Sequence, residues 1–213
     1  MKKQDVLENN STATDSEVIQ NIVTGERDMF EILLRRYNSL LYKIGRSYDI
    51  SHDDVQDLMQ EAYISAYHNL EKFEARSSFK TWLVQIMLNK CADWKRRAAT
   101  HATSGTSGCF QETVSSDVRK EILNRELGRL LEKSIEELPE KYRTVFVLRE
   151  LEGMTVPETA VALQITESNV KIRLKRAKTM LRKQLESLYS HVLVYEFNRV
   201  YCDRLVDRVF RQL

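Results

Sequence analysis

Turn-making residues are scarce in this 213-residue chain, which holds 6 glycines and 2 prolines. Sheet folds that must turn roughly every ten residues are thereby excluded. Cysteine is also sparse: Cys91, Cys109 and Cys202 are odd in number and widely spaced, with no Cys-x-x-Cys pair and no histidine at finger-like distance. Neither a disulfide framework nor a zinc site is expected, and the three read as ordinary reduced thiols. The four histidines, His52, His68, His101 and His191, are scattered, and no nucleophile motif or glycine-rich phosphate loop is present. Asp57 with Glu61 could suggest paired carboxylates, but the Glu-x-x-His motif that a helical di-iron site requires is missing. No catalytic residue, metal or cofactor is therefore expected. No apolar run approaches bilayer length, and Met1-Lys2-Lys3 leads into Gln4, Asp5 and Glu8, so neither insertion nor export is indicated and a cytoplasmic protein is expected. Nor does one charge dominate. The 33 Lys and Arg stand against 31 Asp and Glu, so any argument about nucleic acid rests on where the charges sit.

What is abundant is apolar residues, 42% of the chain, together with Leu, Glu, Lys, Arg and Ala. That composition builds helices with real cores. Residues 1–14 are polar and carry no period, so a frayed terminus is expected. Apolar positions Val18, Ile19, Ile22, Phe30, Leu33, Leu34, Tyr37, Leu41 and Ile44 then recur at steps of three and four, interrupted near Gly25, which predicts two helices. Ser51 with Asp53 and Asp54 caps a third, whose stripe is Val55, Leu58, Met59, Ala62, Tyr63, Ala66, Tyr67 and Leu70. Ser77 or Ser78 caps a fourth over 79–97. Residues 98–118 are rich in Ser, Thr, Gly and Ala and have no helical stripe, the mark of a flexible linker. The expected fold is thus all-α, two small helical domains over 15–97 and 119–188 joined by that linker, with a helical extension over 189–213 carrying Val194, Phe197, Val200, Tyr201, Leu205, Val209 and Leu213.

In the second half Leu138-Pro139 divides two helices and Gly153 ends the second. Thr155-x-x-Glu158 is a capping box opening a short helix over 156–163, and Thr166 caps a long one to about residue 188. Short helix, brief turn, long helix is the outline of a helix-turn-helix. The long helix carries Lys171, Arg173, Lys175, Arg176, Lys178, Arg182 and Lys183 with no acid among them, while Val170, Leu174, Ala177 and Leu181 face inward. The cations project outward, where they can neutralise phosphates and reach base edges in a major groove.

The first half holds two further patterns. Phe73, Phe79, Trp82 and Trp94 are interleaved with Arg76, Lys80, Lys90, Lys95, Arg96 and Arg97, a mixture that suits single-stranded DNA as well as it suits a core. Most of these rings read as core, leaving loop 74–78 and the flank with Asn89 free for a base. Asp54, Asp57 and Glu61, with Gln60 beside them, form an acidic stripe that would repel DNA and needs either solvent or a basic protein partner.

Three blocks in order, DLMQEAYISAYHNLEKF, SSFKTWLVQIMLNKCADWKRR and IEELPEKYRTVFVLRELEGMTVPETAVALQITESNVKIRLKRAKTMLRKQL, resemble the extracytoplasmic-function sigma factors of bacterial RNA polymerase. The resemblance implies a non-enzymatic, dissociable initiation subunit, monomeric when free. Its region two binds core polymerase and reads and melts the minus-ten element; its region four reads the minus-thirty-five element. It implies polymerase contacts at Asp54, Asp57, Gln60 and Glu61. It implies minus-ten contacts among Phe73, Glu74, Ala75, Arg76, Ser77, Ser78, Lys80, Trp82, Asn89, Arg96 and Arg97. It implies minus-thirty-five contacts among Thr166, Ser168, Asn169, Lys171, Ile172, Arg173, Lys175 and Arg176. Core RNA polymerase, promoter DNA and an anti-sigma factor are the expected partners. The chain departs from the family pattern at Ile172, where many relatives have Ser, and at Gln164, where the turn usually carries Gly. Read without the resemblance, the same residues also suit a homodimeric helix-turn-helix regulator acting without polymerase, or a helical interaction scaffold.

Overall fold

The computed structural model describes residues 13–100, 118–189 and 208, which contain helices and no strand. Residues 1–12 of the expected frayed terminus (1–14), most of the linker and nearly all of the C-terminal extension lie outside the described residues, while Thr14 caps the first helix. The first lobe opens with α1 (Asp15–Val23), whose N-cap is Thr14: the Glu17 amide donates to Thr14 Oγ1 and the Thr14 amide to Glu17 Oε2 at 2.7 Å. Two orphan donors of the helix start are thereby satisfied. Gly25, at φ +118°, lets the chain leave the helix, and a 3-10 turn (Arg27–Met29) leads into α2 (Phe30–Ser47). Ser51 caps α3 (His52–His68), and Ser78 caps α4 (Phe79–Thr100) by accepting from the Thr81 amide. The last residues of α4 belong to what the composition marked as linker.

These four helices bury Val18, Leu33, Leu41, Ile44, Val55, Leu83 and Met87 almost completely. Each such side chain contributes about 1.5–3 kcal/mol relative to exposure. Where α2 crosses α3, Gly45 leaves so little space that a Cβ there would sit 2.6 Å from Val55 Cγ1.

The second lobe comprises α5 (Val118–Glu136), α6 (Glu140–Phe146), α7 (Val156–Leu163) and α8 (Glu167–Tyr189). Pro139 stands at the N-cap of α6, dividing it from α5 as the sequence pattern suggested. After α6 the chain widens into a π turn (Val147–Leu151), with the Glu152 amide bonded back to the Val147 carbonyl, before Gly153 at φ +65° reverses it. The capping box at Thr155 and Glu158 forms as the sequence predicts; backbone and hydroxyl donors from Thr155 hold the Glu158 carboxyl below the usual carboxylate range. Between α7 and α8 Gln164 adopts the left-handed conformation, φ 54°, that glycine would take without strain.

The two lobes are docked. Leu148, Met154 and Ala162 of the second lobe belong to the same buried cluster as the first-lobe core. Around this seam Arg143 reaches Asp49, Lys43 meets Glu152 at 2.7 Å, Arg46 meets Glu136 at 3.1 Å and Lys95 pairs with Glu140. The buried thiol of Cys91 lies here too, its pKa pushed up to about 12 chiefly by burial and secondarily by Glu140.

Candidate functional site

Three surfaces gather the residues singled out in the sequence. The first is the outer face of α8. Thr166 caps the helix by accepting from the Asn169 amide at 3.3 Å, and Val170, Ala177 and Leu181 are buried against α6 and α7. At 3.6 residues per turn, this places Ser168, Ile172, Lys175 and Thr179 along the opposite, outward line, flanked by Lys171 and Arg176. All six are exposed. Ile172, half-exposed at 50%, is an apolar side chain at the centre of a polar, cationic face. Arg173 is only partly exposed and lies toward the edge. Arg176 is steadied by its Nη1 donating to Tyr142 Oη at 3.2 Å. Lys178 and Arg182 extend the positive stripe with Lys171 and Lys175; they pair with Glu150 and Glu186. They were visible as charges in the sequence, and helical spacing places them beside the line of Ser168, Ile172, Lys175 and Thr179.

The second surface lies on α4 and the loop before it. Phe73, Phe79 and Trp82 form one aromatic cluster, with ring centroids 5.1–5.8 Å apart. Phe79 is buried, while Phe73 and Trp82 keep part of their surface in solvent. Beside them Glu74, Ala75, Arg76 and Ser78 are exposed and Ser77 is partly so, and Glu74 pairs with Arg76. Ala75 sits at φ 53°, an uncommon conformation for a residue with a Cβ. Helical spacing puts Trp82, Asn89 and Arg96 on one side of α4, with Asn89 and Arg96 exposed. Lys80 is not with them: its Nζ donates to the Glu152 carbonyl across the lobe seam at 2.7 Å. Arg97 turns to another side, toward α3.

That neighbouring side is the third surface, an open groove between α3 and α4 lined by Asp54, Asp57, Glu61, Trp94 and Arg97. Asp57, Gln60 and Glu61 are exposed. Asp54 doubles as a capping group, accepting from the Ser51 hydroxyl at 2.5 Å, and Glu61 receives Lys90 Nζ at 3.0 Å. A groove of carboxylates edged by an indole suits a cationic protein surface. Trp94, read from the sequence as core, contributes to this edge.

Sequence reasoning missed Arg143, because its significance is purely tertiary. It is 5% exposed; its Nε and Nη2 donate to the Leu138 carbonyl at 3.1 and 3.0 Å, and both guanidinium Nη atoms engage the Asp49 carboxylate. One buried cation thus ties the start of α6 to the end of α2 in the other lobe. Among the described residues no group of His, Cys, Asp and Glu is arranged to hold a metal, and no helix is long and apolar enough to cross a membrane.

Comparison with known proteins bears on all three surfaces. The Sigma-70 region 2 model matches residues 33–100, and the Sigma-70, region 4 model matches residues 128–181. ECF RNA polymerase sigma factor SigW of Bacillus subtilis is 30% identical over 179 residues, covering 80% of this chain and 96% of that protein. The ECF RNA polymerase sigma-E factor of Haemophilus influenzae is 29% identical over 185 residues, covering 82% and 97%. Among solved structures, CnrH in complex with the cytosolic domain of CnrY matches with a TM-score of 0.60 at 27% identity, covering 81% of this chain and 97% of that one.

Proposed function

The chain belongs to the ECF RNA polymerase sigma factors, and from that premise we propose which of its surfaces perform the work of directing core RNA polymerase to promoters. The face of α8 reads the minus-thirty-five element. Ser168 and Ile172 approach base edges in the major groove, Ile172 offering an apolar contact to a thymine methyl, while Lys171, Lys175 and Arg176 neutralise phosphates. The observation that carries this reading is the outward line of α8, with one apolar side chain set among cations on the second helix of a helix-turn-helix.

The loop 74–78 with Trp82, Asn89 and Arg96 takes the minus-ten strand. A base leaving the duplex stacks on the part-exposed rings of Phe73 and Trp82 while the cations hold its backbone. Extruding a base costs a few kcal/mol, offset by these contacts, so strand opening proceeds by binding alone and the protein acts without being an enzyme. The acidic groove of Asp54, Asp57 and Glu61, with the exposed Gln60 on the same helix, is the polymerase anchor; there the carboxylates meet a basic partner and keep DNA off this side. The protein works in the cytoplasm as a monomer when free. The related CnrH was solved with the cytosolic domain of CnrY, which supports assigning this chain a protein regulator as well.

The test is reconstituted transcription. Core polymerase with this chain should initiate from a subset of genomic fragments. Asp57→Lys with Glu61→Lys should abolish holoenzyme assembly, and Lys175→Glu should leave assembly intact while weakening promoter binding at least ten-fold. Initiation by core polymerase unaffected by the α3 reversals would overturn the anchor assignment. Promoter selectivity unchanged in Ile172→Ser and Lys175→Glu would overturn the reading face.

A further inference from the structure

The second lobe carries an apolar surface that its own described residues leave open. Leu127, Leu130 and Leu131 on α5 are 41%, 43% and 39% exposed. Leu127, Leu131 and Ile135 follow at steps of four and so form one stripe along the helix. Ile135 and Phe146 both pack on the buried cluster of Leu138, Tyr142, Ala177 and Leu181. Leu181 in turn joins Phe146 and Leu185 as the apolar lining of an open groove along α8, edged by Lys178, Arg182 and Glu186. Stripe and groove therefore border the same buried cluster, Ile135 at the end of one and Phe146 in the lining of the other, and the α5 stripe from Leu127 to Ile135 is about 12 Å long. Solvent-exposed leucines in such a contiguous arrangement call for an occupant.

We propose that the occupant is the C-terminal segment of the same chain, residues 191–213, which folds back onto this surface. Four observations lead there. The segment begins where the surface does: the described part of α8 runs to Tyr189, about one turn beyond Leu185, and 24 residues follow. Its apolar residues suit the site, since Val194, Phe197, Tyr201, Leu205 and Val209 recur at steps of three and four while Glu196, Asp203 and Asp207 fall on the opposite side, and its one described residue, Arg208, is helical. As a helix the segment would span about 34 Å, enough to cover the groove and continue along α5.

The third observation is one of phase. On α8 the buried face is that of Val170, Ala177 and Leu181. Extending the same helix at 3.6 residues per turn would carry Val194, Tyr201 and Leu205 roughly a third of a turn or more away from that face. The segment's stripe therefore cannot be buried by continuing the packing of α8; it needs a surface of its own. The fourth concerns length. The Sigma-70, region 4 match stops at residue 181, and the related sigma factors are covered almost end to end while about a fifth of this chain lies outside the match. The segment lies beyond the region 4 match, and the surface it would cover lies beside, not on, the line of Ser168 and Ile172. This inference does not depend on how the reading faces contact DNA.

A photo-crosslinking amino acid placed at Leu130 in the full-length chain tests the docking directly. The expected product is an internal cross-link to a peptide within 191–213, recovered at monomer mass. Phe197→Asp with Leu205→Asp, again in the full chain, should abolish that product and speed amide exchange across 127–131 and 181–185 at least ten-fold. Cross-links only at dimer mass would show that a second copy covers the surface, and cross-links only to added core polymerase would show that it is held open for that partner. Either of these, or exchange indifferent to the paired aspartates, overturns the proposal.

Discussion

Replacing Asp49 by Asn isolates the electrostatic part of the contact that holds the two lobes together. Asn tolerates the left-handed backbone that Asp49 adopts at φ 59°, so the substitution removes charge without adding strain. On the partner side, Arg143 is buried, its side chain 6% exposed against 53% for Asp49. After the substitution the guanidinium keeps its bonds to the Leu138 carbonyl but loses its counter-charge. Breaking a buried pair from one side costs about 3–5 kcal/mol when both groups are sequestered. Because Asp49 is half in water, much of its Coulomb attraction is screened, and a cost of about 2 kcal/mol is expected. That corresponds to roughly a thirty-fold rise in the ratio of undocked to docked molecules. Arg143→Met alone should cost less electrostatically, since Asp49 is left facing water and Lys95, and its penalty should come mainly from the orphaned Leu138 carbonyl, about 1–3 kcal/mol. The double variant closes a thermodynamic cycle, with an expected coupling of about 1.5–2.5 kcal/mol. Urea unfolding measures the energies, and small-angle scattering measures the radius of gyration, which should grow in Asp49→Asn as the lobes separate. A coupling within about 0.5 kcal/mol of zero, with an unchanged scattering profile, would refute the idea that this pair secures the seam.

Three more outcomes follow from local geometry. Gln164→Gly should raise stability by up to about 1 kcal/mol, seen as a higher Tm, because glycine occupies the left-handed turn between α7 and α8 without a Cβ penalty. Gly45→Ala should destabilise by about 1–3 kcal/mol in urea titration, since the new methyl would meet Val55 where α2 and α3 cross. The Glu158 carboxyl is depressed by the Thr155 donors, so its share of stability is present above its unfolded pKa, near 4.3, and is lost as pH falls through the lower folded value. Wild-type stability should therefore fall more steeply below about pH 4 than that of Glu158→Gln, and parallel acid unfolding curves would contradict the linkage.

Much of the architecture was legible because helices announce themselves locally. Thr155 and Glu158, Ser51 and Gly153 act through bonds and dihedrals within a few residues of themselves, so their roles hold whatever the rest of the chain does. The three-to-four spacing of Val170, Ala177 and Leu181 likewise determined, with no further information, that the cations of α8 point outward. Periodicity tells which side of a helix is buried, but not what buries it. Lys80 shows the difference: grouped in sequence with the aromatic, cationic stretch, it instead donates to the Glu152 carbonyl in the other lobe.

Residue types, caps and spacing were by themselves enough to determine a two-lobed helical protein with an acidic face, an aromatic-cationic stretch and a basic second helix in a helix-turn-helix. Only the tertiary structure decided that the lobes share a core through Leu148, Met154 and Ala162, that Arg143 finds Asp49 94 positions earlier in the chain, and that Lys80 donates across the seam to the Glu152 carbonyl. The physical reason is range. Capping and helical period are set by neighbours along the backbone, whereas docking depends on complementary shapes and charges brought together from distant segments, which no local pattern encodes.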